Sequence, residues 1–143
     1  MKGTDEVSDG SPLIALKAGP PRFTHLYWVE AKRRSATSLR AHRREHPHRE
    51  ITVLQGNANE RVDDVLKTLP REAPAFAFLD PYASELDWET VVKLARHKAP
   101  GYPKIELFIL FAVDTAFLRL MPRESTKMMY EAILDRVMPD QGG

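Results

Sequence analysis

Apolar residues recur along the chain in two alternating rhythms. Leu13, Ile14, Leu16 and Ala18 follow Ser11 or Asp9 as a cap, with Pro12 in the first turn. This predicts a short helix, ended by Gly19-Pro20-Pro21. Residues 24–30 (THLYWVE) are rich in β-formers and predict a strand closed by a carboxylate. Residues 31–46 predict a helix whose lone large apolar residue is Leu39, and residues 51–54 predict a brief second strand. Asn59 is expected to cap a helix in which Val62, Val65, Leu66 and Leu69 recur at helical spacing. Residues 75–79 (AFAFL) are apolar throughout, as in a strand covered on both faces. A helix over 87–97 carries Trp88, Val91, Val92, Leu94 and Ala95, and residues 105–113 form the longest strand candidate. Two further helices are expected over 115–121 and 124–137, the second with Met128, Met129, Ile133, Leu134 and Val137 on its apolar face.

A helix followed by four strand–helix units predicts an α/β fold with a largely parallel sheet and helices on both faces. Neither a linker nor a repeat interrupts it. The expectation is one domain over residues 1–143, with 1–9 as a disordered tail. The 143 residues, 43% hydrophobic and 29% charged, suffice for an ordinary core. Lys plus Arg number 21 and Asp plus Glu 20, so the net charge of +1 points to no polyanionic partner for the chain as a whole. The absence of cysteine excludes disulfides, Cys-ligated zinc, iron–sulfur clusters and a thiol nucleophile. No apolar stretch approaches the roughly 20 residues of a membrane span, and no signal-peptide core is present. The expected location is cytoplasmic, with no membrane partner.

Candidate chemistry lies at the strand ends, because ligands of open α/β sheets bind beyond the C-terminal ends of the strands. Glu30 ends the first strand, Asn57, Ala58 and Asn59 follow the second, and Asp80-Pro81-Tyr82 follows the third. A carboxylate at such a position accepts hydrogen bonds from ribose hydroxyls, and a polar turn beside it reads an adenine edge. Asp80 follows an apolar strand whose low-dielectric walls strengthen its field, and Pro81 fixes the direction in which Tyr82 leaves the sheet.

Several segments taken in order resemble the three-Cys-motif partner protein family. They are GSPLIALKA (10–18), the strand ending in Glu30, Gly56-Asn57-Ala58-Asn59, and above all FLDPYASELDWETVVKLA (78–95). ILFAVDTAFLRLM (109–121) resembles the family's next strand and turn, so the likeness spans roughly residues 10–123. That family in turn resembles S-adenosylmethionine-dependent methyltransferases of the Rossmann-like class. The resemblance implies a Rossmann-like three-layer sandwich and S-adenosylmethionine as cofactor. It implies Glu30 on the ribose, Asn57 and Ala58 along the adenine, and Asp80, Pro81 and Tyr82 facing the methyl donor and acceptor. Catalysis would then be positioning, since the sulfonium methyl is already activated. The implied partner is a protein bearing the three-Cys motif.

The sequence also departs from the family. It begins after the family's first strand and glycine-rich loop, and the family continues past Gly143. Gly56-Asn57 stands where Gly-Asp is more usual, Ala112 where proline often stands, and the Asp-Pro-Tyr block has a single proline. These departures lead to three expectations: a domain truncated at both ends, weak or absent cofactor binding, and weak or absent methyltransferase activity. A fourth concerns the sheet. Without the first strand, the strands holding Tyr27 and Phe78 are expected to pair directly in one four-stranded sheet.

Blander readings and rival functions accompany these. Glu30 is also placed to pair with Lys32 or Arg33, Asp80 to cap its turn, Trp88 to fill the core, and Asn57 and Asn59 to serve as turn and cap. Residues 32–49 hold Lys32, Arg33, Arg34, Arg40, Arg43, Arg44 and Arg49 against Glu45. Such a run is either a solvated helix face or a nucleic-acid surface. His42 and His46 have the spacing of a helical zinc pair but lack a third ligand, so no metal is expected. The remaining rival is a non-catalytic subunit that pairs with a three-Cys-motif protein.

Overall fold

The computed structural model describes residues 9–80 and 86–110, together with Glu131. The chain packs as two compact units, residues 1–57 and 58–143. It is mixed α/β, and its strand pairs are parallel.

The first unit contains α1 (Ser11–Lys17), β1 (His25–Glu30), α2 (Arg33–Glu45) and β2 (Glu50–Gln55). β1 and β2 run parallel, in register from His25 opposite Glu50 to Glu30 opposite Gln55. The alternation of a strand puts Leu26 and Trp28 on the same buried face as Ile51 and Val53, where Leu16 of α1 joins them. Leu13, Ala15 and Leu39 pack around this cluster. Ala36, fully buried, lets α2 approach closely despite its few large apolar residues. α1 is capped by neither Ser11 nor Asp9. Gly10 is its N-cap without a side-chain bond, and Asp9 instead pairs with Lys17. Gly19 stops the helix at φ 139°, where an added Cβ would lie 2.6 Å from Arg22 Cγ.

The second unit contains α3 (Ala58–Thr68), β3 (Phe76–Leu79), α4 (Trp88–Arg96) and β4 (Glu106–Ile109). β3 and β4 are parallel, in register from Phe76 opposite Glu106 to Leu79 opposite Ile109. One face of this pair packs on the helices. Val62, Leu94 and Ile105 are buried there, with Leu66, Leu69, Ala75, Ala77, Leu79 and Leu107 around them. The buried Lys98 ammonium donates to the carbonyls of Pro70 and Ala73, which ties down the loop before β3.

Three further expectations need correction. Among the described residues the strands pair as two sheets, β1–β2 and β3–β4, and not as one four-stranded sheet. Each strand pair is joined by its own short crossover, which costs less loop-closure entropy than a longer-range ladder. β3 is covered on one face only: Phe76, Phe78, Phe108 and Leu110 are 40–52% exposed, and the Phe78 and Phe108 rings stack at 5.6 Å. Asn59 lies inside the first turn of α3, and its side chain serves α4 instead. Residues 111–113 of the fourth predicted strand and the helix predicted over 115–121 lie outside the described residues. So does the helix predicted over 124–137, except for Glu131, which is helical.

Candidate functional site

Glu30 is the last residue of β1 and is half-buried. Its Oε1 accepts the Lys32 backbone N–H at 2.8 Å, so the main chain holds the carboxylate. Its carbonyl oxygen accepts the Gly56 N–H at 3.0 Å. Because the strands are parallel, β1 and β2 deliver their chain exits to the same edge. Gly56, at φ 144°, turns the chain there in a region few side chains tolerate. The structure therefore brings Glu30, Gly56 and the exposed Asn57 together at the C-terminal edge of the first sheet. Ala58, also exposed, follows directly and opens α3. Beside Glu30 is a cleft of about 230 Å³, shared with Leu13, Ser35, Ser38 and His42.

Asp80 belongs to the second unit. It follows β3 immediately and is exposed. Pro81 and Tyr82 lie outside the described residues. Trp88 begins α4 and is half-buried, outside the buried cluster of its unit. Sequence reasoning missed the role of Asn59. Its Oδ1 accepts the Asp87 N–H at 3.0 Å and the Thr90 hydroxyl at 2.7 Å, which fastens the N-terminus of α4 to α3. Lys93 reinforces that pairing through Asp63 at 2.9 Å.

The basic run forms more than a helix face. Arg40, Arg43 and Arg44 of α2 line a groove of about 800 Å³ with His48, Arg49 and the strand residue His25. Arg49 is fixed by donating to the carbonyls of Leu16 at 2.9 Å and Phe23 at 3.0 Å. His25 stacks on Tyr27 at 4.2 Å, meets Thr52 Oγ1 at 2.9 Å through Nε2, and lies 3.6 Å from Glu50 through Nδ1. His42 and His46 turn to local partners: His42 Nδ1 meets Glu45 at 3.1 Å, and His46 Nδ1 donates to the His42 carbonyl at 2.9 Å. No group of metal-ligating side chains occurs among the described residues. None of their helices is long and apolar enough to cross a membrane.

No family model matches the chain, and neither a curated protein nor a solved structure matches it.

Proposed function

We propose that this chain is an S-adenosylmethionine-dependent methyltransferase-like α/β domain, similar to three-Cys-motif partner proteins, with an adenosyl site at the C-terminal edge of its first sheet. The observation that carries this reading is the Glu30 carboxylate, pinned by the Lys32 N–H beside the Gly56-Asn57 turn. One bond to Oε1 leaves Oε2 and further lone pairs to accept two ribose hydroxyls. Asn57 and the small Ala58 border the space an adenine would take. Asp80, Pro81 and Tyr82 are the proposed positioning group for the methyl acceptor. S-adenosylmethionine would supply an activated methyl group. The chain's own residues would bind, orient and shield.

Calorimetric titration with S-adenosylhomocysteine tests the ribose role. Glu30→Gln should weaken binding by about tenfold, the cost of losing charge-assisted hydrogen bonds. Equal binding by both proteins would refute it.

A second reading, a subunit that pairs with a three-Cys-motif protein, is supported by the exposed Phe76, Phe78, Phe108 and Leu110 on one sheet face. Co-purification with such a protein, lost on Phe108→Ser, would favour it. Association unaffected by that substitution would count against this face.

A further inference from the structure

We propose that the groove between α2 and the start of β2 binds the phosphodiester backbone of a single-stranded nucleic acid, independently of the adenosyl edge. Arg40, Arg43, Arg44 and Arg49 all line it, and Glu50 is the one carboxylate among its lining residues. Lys17–Asp9, His25–Glu50 and His42–Glu45 are ion pairs among the described residues of the first unit, and none of them uses an arginine. Among the described residues, the four guanidinium groups therefore have no acidic partner.

A solvated helix face would send such charges outward in different directions. Here they converge on one concavity. The negative end of the α2 dipole accounts for Arg43 and Arg44 in its last turn. It does not account for Arg49, which lies beyond the helix and is held in place by two main-chain carbonyls. Those bonds leave N–H donors over on a cation that is already positioned.

Size and lining narrow the ligand. About 800 Å³ exceeds the needs of a lone phosphate and lies in the range of sites for larger organic ligands. Arg40 and Arg44 are one turn apart, about 6 Å along the helix axis, so each can meet a different phosphate of one strand. The exposed His48 ring in the wall supplies a flat surface of the kind on which an unpaired base stacks. A recessed basic channel suits a single strand better than a duplex, whose major groove calls for a projecting helix. An anionic membrane is disfavoured because α2 offers it no apolar face: its large apolar residue, Leu39, packs on the core.

Fluorescence anisotropy with a labelled oligouridine, across a series of potassium chloride concentrations, tests this on the full chain. The unmodified protein should bind at low salt. The triple variant Arg40→Gln/Arg43→Gln/Arg44→Gln should bind at least about tenfold more weakly, with a log–log salt slope shallower by about 2, near 0.7 for each contact removed. Arg33→Gln/Arg34→Gln removes two exposed charges of α2 outside the groove and should stay within about twofold, with circular dichroism confirming that both variants fold. The proposal is overturned if the unmodified protein does not bind, or if the triple variant binds as well as it does. A polyglutamate tracer held as tightly as the RNA would overturn it too.

Discussion

Replacing Asn59 by Leu should loosen the junction of α3 and α4 without touching an apolar contact of the core. The substitution keeps the approximate volume and removes the acceptor of two hydrogen bonds, from the Asp87 N–H and the Thr90 hydroxyl. The half-buried Asp87 amide can turn to water, so its loss is near the usual net value of about 1 kcal/mol. The Thr90 hydroxyl, in a residue only 3% exposed, has no such recourse and would cost about 1–3 kcal/mol unpaired. The expected loss is therefore about 2–4 kcal/mol. With a urea m-value of about 2 kcal/mol/M, the midpoint should fall by roughly 1–2 M. Trp88, in α4, reports on this unit, and Trp28→Phe silences the other tryptophan. Asn59→Asp keeps the acceptor and should stay within about 1 kcal/mol of the parent. In a Thr90→Val background the penalty of Asn59→Leu should shrink by about 1–2 kcal/mol, because the orphaned hydroxyl is already gone. A penalty below about 0.5 kcal/mol, or strict additivity with Thr90→Val, would refute the reasoning.

Further outcomes are expected elsewhere. Burial lowers the pKa of the Lys98 ammonium below its ordinary 10.5, against an opposing pull from Glu72. The native state then holds fewer protons than the unfolded chain between that lowered value and 10.5, so stability should rise with pH in this window. Urea midpoints measured across it should climb for the parent and flatten for Lys98→Met; parallel profiles would contradict this. Lys93, whose pKa is raised mainly by its hydrogen bond to Asp63, acts in the opposite direction and only as pH climbs past the ordinary lysine value. Trp28 buries an indole N–H that has no partner among the described residues. Trp28→Phe should therefore cost only about 1 kcal/mol, well short of the roughly 3–5 kcal/mol typical of truncating a buried Trp to Ala, as read by chemical denaturation.

The order of elements was legible because each segment carries its own period. Leu26 and Trp28 alternate in β1, and Val62 and Leu66 recur by helical turns in α3. Pairing was less legible, since hydrophobicity says that a strand is buried but not beside which neighbour. The run 75–79 illustrates the limit: Ala77 and Leu79 face the helices, while Phe76 and Phe78 stand open to solvent. Ala36 seats α2 by being small, which leaves no hydrophobic signal to read. Asn59 was misread because a cap is a local pattern, whereas its partners Asp87 and Thr90 lie 28 and 31 residues away. At the candidate edge, the adjacency of Glu30 and Gly56 followed from parallel pairing. The basic run was plain, yet the share of His25 and Thr52 in its groove depends on strand register and was not.

The proposed adenosyl edge is best examined by following backbone amide resonances while S-adenosylhomocysteine is added to millimolar concentration. The amides of Lys32, Gly56 and Asn57 should shift together and saturably, and Glu30→Gln should raise the half-saturating ligand concentration by about tenfold. Unmoved resonances at these three positions, or shifts that survive Glu30→Gln unchanged, would contradict the assignment of Glu30 as the ribose-holding carboxylate.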